Sequence, residues 1–181
     1  SVNLEDTHYE SLFTDAIPFT LYSYDDGYEL ETDLEPGIGY LLRFTQSGNS
    51  VITGLPIDNL TLSLTEGWNL ISGISYSLDI NAITDLDNLI IPGTVYGFEE
   101  EGYTLVETMV PGYGYWVRST GDGEITLSSS APSGRIITCQ KLEDTNTLVL
   151  NNTTLYFGKD VPLKEQFRYS MPPKPPPGAF D

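Results

Sequence analysis

Apolar and polar residues alternate with period two along much of this chain, the spacing of a strand with one face buried. Leu60-Thr61-Leu62-Ser63-Leu64 alternates without a break and leads through Glu66-Gly67 into Trp68-Asn69-Leu70-Ile71-Ser72. Tyr22 and Tyr24 flank Ser23, Asp25-Asp26-Gly27 supplies turn chemistry, and Tyr28-Glu29-Leu30 alternates again, which predicts a hairpin. Helical spacing occurs at Ile80, Ile83 and Leu86, behind Ser77 as a cap, and over Leu4 to Phe13. The expected fold class is all-β.

Self-comparison sharpens this. Leu21-Tyr22-Ser23-Tyr24 recurs as Val95-Tyr96-Gly97-Phe98, 74 residues later, and Gly27-Tyr28 recurs as Gly102-Tyr103 at 75. Pro36-Gly37-Ile38-Gly39-Tyr40-Leu41-Leu42-Arg43 recurs at the same spacing as Pro111-Gly112-Tyr113-Gly114-Tyr115-Trp116-Val117-Arg118. Leu4 aligns with Leu78, and Pro18 with Pro92. In each copy Pro-Gly-x-Gly-Tyr reads as a tight turn before a strand, Tyr40 to Phe44 or Tyr115 to Val117. A further strand follows, Val51-Ile52 or Glu124 to Leu127. The pattern predicts two tandem β modules, sandwich- or barrel-like with one short helix each, over residues 1–60 and 61–134. No Gly-Trp-Asn-Leu-Ile-Ser segment precedes the first copy, so that module is expected to take the strand from preceding sequence or from a neighbouring molecule.

Residues 135–181 read as the start of a third β domain. Arg135 to Cys139, Thr147 to Leu150 and Thr154 to Gly158 are strand-like, with Asn151-Asn152 as a turn. Met171-Pro172-Pro173-Lys174-Pro175-Pro176-Pro177-Gly178 must run as polyproline II, because its prolines can join neither a ladder nor a helix. An extended strap over the sandwich or a spacer is expected, with a docking peptide for a proline-reading domain as the alternative.

Charge follows the same division. Residues 1–134 hold 21 acidic side chains against Arg43 and Arg118 alone, whereas residues 135–181 are nearly balanced. A net charge of −18 excludes a nucleic-acid partner, since phosphate binding needs Lys and Arg. No apolar run approaches the ~20 residues of a membrane span. One Cys and one His leave a Cys/His metal centre, an intrachain disulfide and a His-based triad without their parts. Cys139 reads as a buried strand residue and His8 as a surface one. The acids Asp79, Asp85 and Asp87 with Asn81 and Asn88 lack the Gly and terminal Glu of an EF-hand loop, so no cofactor is expected and calcium binding would be diffuse. Asp25-Asp26 and Glu99-Glu100-Glu101 sit on hairpin tips, pointing into water rather than across a sugar.

Arg43 and Arg118 are expected to tie loops together through carboxylates or carbonyls. Tyr28, Tyr103, Tyr113 and Trp116 lie near turns and could form a sugar-stacking platform. Their alternation with polar residues favours core packing instead.

Gly67-Trp68-Asn69-Leu70-Ile71-Ser72 and the Pro111 to Arg118 motif resemble tandem β modules near the C-termini of large secreted bacterial proteins of the Bacteroidetes–Chlorobi and related groups. The tail from Leu155 to Asp181 resembles the region that precedes a type IX secretion-sorting domain. Tyr40-Leu41 departs from the motif, which carries Trp at 116. The resemblance implies an extracellular or cell-surface location and supplies no catalytic residues. The expected role is non-enzymatic: a structural or assembly module pairing with itself or with other surface proteins by β-strand addition. The alternative is a carbohydrate-binding or adhesion module.

Overall fold

The computed structural model describes residues 1–99, 102–130, 146–150, 153–157 and 166–177. It is an all-β protein in several antiparallel sheets. In chain order the elements are β1 (Val2–Asn3), α1 (Tyr9–Leu12), β2 (Tyr22–Tyr24), β3 (Tyr28–Leu30), β4 (Leu55–Pro56), β5 (Asn59–Leu64) and β6 (Gly67–Ser72). There follow β7 (Leu78–Asp79), β8 (Tyr96–Glu99), β9 (Gly102–Leu105), β10 (Thr108–Met109), β11 (Gly114–Ser119) and β12 (Gly123–Ser128). The hairpin of β13 (Asn146–Leu150) and β14 (Thr153–Phe157) comes last, before a short 3-10 turn at Phe167–Tyr169.

Four strands in the order β6-β11-β8-β9 form the central sheet. Alternation along β11 sorts its two faces: Tyr115 and Val117 enter the main core, and Trp116 enters a second, aromatic cluster. On the core side, β5 and β12 pair across six residues and contribute Leu62, Leu64, Ile125 and Leu127. Ile57, on the earlier side of the expected boundary at 60/61, belongs to this core as well.

The hairpins fall where the turn residues predict. β2 pairs with β3 as Tyr22↔Leu30 and Tyr24↔Tyr28, and β8 with β9 as Tyr96↔Leu105 and Phe98↔Tyr103. The first turn places Asp26 at φ 53°, a left-handed position that Asp tolerates. Of the acids at the second tip, Glu100 and Glu101 lie outside the described residues.

Four expectations are corrected. Ser77 caps no helix: Asp79 does, its carboxylate accepting from the Asn81 N–H at 2.8 Å, and the helix is a single 3-10 turn, Ile80–Ala82. It stops because Thr84 exchanges both backbone bonds with Thr126, which leaves Leu86 85 % exposed. Leu4 is not the geometric counterpart of Leu78. Thr7 is, because its carbonyl accepts from Leu34 as Leu78 pairs with Met109. Val51-Ile52 forms no strand, and Val51 is 92 % exposed. The corresponding β12 is a strand because β5 pairs with it, and no described residue plays that part for 51–52. Tyr40 to Phe44 makes two isolated bridges, Tyr22↔Leu41 and Ala16↔Phe44, rather than a strand. The expected strand Arg135 to Cys139, including Cys139, and the turn at Asn151-Asn152 lie outside the described residues.

Candidate functional site: an unpaired edge and an aromatic face

The two Pro-Gly-x-Gly-Tyr turns are built by the same bonds. Gly37 and Gly112 adopt φ 92° and 88°, where an L side chain is strained. The Tyr40 hydroxyl accepts from the Glu35 N–H at 3.0 Å, and the Tyr115 hydroxyl from the Val110 N–H at 2.6 Å. Each tyrosine thereby ties its turn to the residue just before the proline. Behind the turn, the Ile17 N–H donates to the Arg43 carbonyl at 2.8 Å, as the Ile91 N–H does to the Arg118 carbonyl at 3.0 Å. Thr20 and Thr94 each donate Oγ1 to the carbonyl three residues back, at 2.7 Å. Tyr22 bridges Leu41 as Tyr96 pairs with Trp116.

The strand after the turn is partnered differently. β11 pairs along its length with β6, Tyr115 against Ile71 and Val117 against Asn69. Tyr40 and Leu42, the corresponding residues, make no backbone–backbone hydrogen bond among the described residues. β6 reaches only the turn ahead of them. The Leu70 carbonyl accepts from the Gly39 N–H at 3.0 Å, and the Ser72 N–H donates to the Gly37 carbonyl at 2.8 Å. Beside this edge lies an open cleft of about 720 Å³, lined by Phe13, Leu34, Tyr40, Leu42, Phe44 and Ile52 among others.

The face of the central sheet turned away from the main core is aromatic. Trp116, 1 % exposed, sits at its centre, edge-on to Tyr24 at 4.9 Å, Tyr28 at 6.3 Å and Trp68 at 6.3 Å, and Trp68 continues to Tyr96 at 5.9 Å. Such edge-to-face pairs contribute ~0.5–1.5 kcal/mol each beyond the area they bury. The polyproline segment lies on this face. Tyr103 Oη donates to the Pro173 carbonyl at 2.6 Å and Tyr28 Oη donates to the same oxygen at 3.3 Å. Pro172 is buried. Burial holds both phenols above their ordinary pKa, reinforced at Tyr28 by the neighbouring Tyr103.

Arg118, expected to tie loops together through carboxylates or carbonyls, is held among the described residues by a hydroxyl and two rings instead. Its guanidinium donates to Ser170 Oγ and stacks on two rings, 4.4 Å from the centre of Phe167 and 5.5 Å from that of Trp68. Burial lowers its pKa, without bringing it near deprotonation. Among the described residues the buried Trp116 indole N–H has no acceptor at full hydrogen-bond geometry, and a looser hydrogen bond from it to the Tyr103 hydroxyl opposes the effect of burial there.

Of the four residues considered for a sugar platform, Tyr28, Tyr103 and Trp116 are thus together, and Tyr113, 62 % exposed, lies outside the cluster on the wall of the cleft, which Trp116 also reaches. The remaining motif positions, Pro36, Gly39, Tyr40, Arg43, Gly67, Trp68, Pro111, Gly114 and Tyr115, lie in or beside the two turns and the β6 strand they meet. The acids near residue 80 serve their own loop, with the Asp85 carboxylate accepting from the Leu89 and Ile90 N–H groups at 2.8 and 3.0 Å. Among the described residues no three His, Cys, Asp or Glu side chains are grouped to hold a metal ion.

A strap over the body is expected of the tail, but not the surface it docks on, since nothing in the prolines says which residues they meet. The pair Tyr28 and Tyr103 at repeat-related positions was the available signal. No family model, no curated protein and no solved structure matches this chain.

Proposed function

We propose that this protein is a non-catalytic extracellular or cell-surface assembly module, made of two copies of one β plan, the first of which accepts a strand from a neighbouring molecule or flanking module. The single observation that carries this is the contrast between two equivalent turns: Tyr115 and Val117 are paired to β6, whereas Tyr40 and Leu42 make no backbone–backbone bond among the described residues and lie beside an apolar cleft. An open edge next to unfilled apolar surface is what β-strand addition uses, with main-chain bonds giving affinity and pockets giving register. The occupant that fits is a segment resembling β5 and β6, the elements that cover the second copy. The acidic surface of residues 1–134 supports solubility and keeps assembly dependent on that edge rather than on general stickiness.

The test is hydrogen exchange on concentrated protein, alongside light scattering and electron microscopy. Assembly is expected to protect the Tyr40 and Leu42 amides, and a synthetic peptide of residues 59–72 is expected to protect the same amides in the monomer. Monomers at high concentration whose Tyr40 and Leu42 amides stay unprotected with peptide added would overturn the reading.

A further inference from the structure

The aromatic face is filled in an unusual way. Its occupant, Ser170–Pro176, forms no ladder, and it touches the body through one carbonyl, one buried proline and one hydroxyl. Residues around these contacts stay exposed: Phe167 at 40 %, Met171 at 49 %, and Lys174 beyond them. A core strand would be buried along one side. A polyproline II ligand seated on a receptor looks like this, because its carbonyls are free of internal bonds and its rings pack on aromatic walls.

The receptor side has the matching chemistry. Two phenol donors, one from each half of the body, converge on a single carbonyl oxygen. A guanidinium stacks on the aromatic residue upstream of the prolines, and the buried Trp116 indole N–H is directed to the Tyr103 hydroxyl that holds the tail. We infer that the face formed by Tyr24, Tyr28, Trp68, Tyr103, Trp116 and Arg118 is a binding site for polyproline II peptides, and that Ser170–Pro176 is its tethered occupant. Free proline-rich peptide competes with a tail held at high effective concentration, so the intact chain presents a closed site. Release of the tail opens it. This site adjoins the cleft used for strand addition, since Trp116 lines both, but the tail contacts Tyr28, Tyr103 and Arg118 rather than the Tyr40 and Leu42 amides.

The full chain allows a direct test. Trp68 and Trp116, the protein's two tryptophans, both lie in the site, so intrinsic emission reports occupancy. Trypsin reports tail release at Arg168-Tyr169, whereas Lys174 is followed by Pro175 and resists cleavage. A Pro172→Gly/Pro173→Gly variant is expected to keep its circular dichroism and to be cleaved at Arg168 at least tenfold faster. It should also bind a free peptide of residues 167–178 at least tenfold more tightly than the intact chain does. Adding Tyr28→Phe and Tyr103→Phe should reduce that affinity at least tenfold. In the otherwise intact chain, the same two changes should speed cleavage at Arg168. The inference fails if the proline variant folds but ignores the peptide, or if it unfolds, which would make the tail part of the core. It fails equally if Tyr28→Phe/Tyr103→Phe leaves cleavage unchanged.

Discussion

Met109, Tyr115 and Val117 pack against Leu62, Leu64, Ile125 and Leu127, whereas Leu34, Tyr40 and Leu42, at the same steps of an equivalent turn, face a cleft. The bonds that shape the two turns match in partner and nearly in length. What differs is the layer laid over them. Local structure in this protein is therefore set by local chemistry: glycines at positive φ, a tyrosine hydroxyl closing the turn, a threonine bonding back three residues. Strand formation is not. It follows the ladder partner, so β12 is a strand beside β5 while residues 51–52 are not. The comparison separates what a sequence motif specifies from what its neighbours must supply.

The largest asymmetry should appear at the centre of the aromatic face. Trp116→Ala removes the ring that contacts Tyr24, Tyr28 and Trp68, and should cost about 4 kcal/mol, the upper range for a buried aromatic. Leu41→Ala, at the corresponding position, should cost about 2 kcal/mol, since it empties a smaller volume beside residues that can move. Denaturant melts of the two variants make the comparison. Equal losses would mean that the two halves share one equally packed cluster.

Next comes the seam where the first turn meets β6. A methyl group on Gly39 would lie 2.6 Å from the Ile71 carbonyl oxygen, and backbone cannot yield as a side chain does. Gly39→Ala should cost about 3 kcal/mol by overpacking. At Gly114 the nearest atoms would be 3.6 Å away, ordinary contact, so Gly114→Ala should change stability by no more than about 0.5 kcal/mol. If the two substitutions behave alike in thermal melts, residues 37–39 do not rest on β6.

The cover itself is tested by Met109→Ala against Leu34→Ala. Met109 is 1 % exposed in the closed core, and truncation there should cost about 3 kcal/mol. Leu34 lines the cleft, already half in water, so its truncation should cost about 1 kcal/mol in the monomer. Strand addition would raise the second figure towards the first, which makes the gap between them a measure of occupancy.

Much of this was legible beforehand because it depends on neighbours in sequence. The tips at Asp25-Asp26-Gly27, the Pro-Gly-x-Gly-Tyr turns and the strands from Leu60 to Ser72 all follow from local pattern. The short helix was misplaced by a few residues, since Asp79 competes with Ser77 as a cap and only the pairing of Thr84 with Thr126 decides where the turn ends. What could not be read is long-range. The Leu70 carbonyl serves Gly39, and the Pro173 carbonyl collects two tyrosines about seventy or more residues away, contacts that no periodicity encodes. Arg118 illustrates the same point, for its partner is decided by where Phe167 lands rather than by its own neighbours.

The smallest predicted effect separates the two tyrosine pairs by their role in hydrogen bonding. Burial holds the phenols of Tyr28, Tyr103, Tyr40 and Tyr115 above the ordinary value near 10. A raised folded-state pKa leaves the stabilising contribution whole below pH 10, and it is lost as the pH climbs past 10 towards the folded values. Stability should therefore be level in this respect through neutral pH and decline only in the alkaline range. Within that range the pairs part company. Tyr40 and Tyr115 accept from backbone N–H groups, as a phenolate does at least as well, and the one bond Tyr115 donates, to the Val110 carbonyl, is long at 3.4 Å. Tyr28 and Tyr103 donate to Pro173, so ionisation removes the donor and sets a negative charge against a carbonyl oxygen. Raising the pH should lift the tail from the aromatic face before the turns open, seen as a change in tryptophan emission at a lower pH than the loss of far-UV dichroism. Tyr28→Phe/Tyr103→Phe should abolish that early step and leave the later one in place. Coincident transitions in the unsubstituted chain would show that tail and body come apart as one unit.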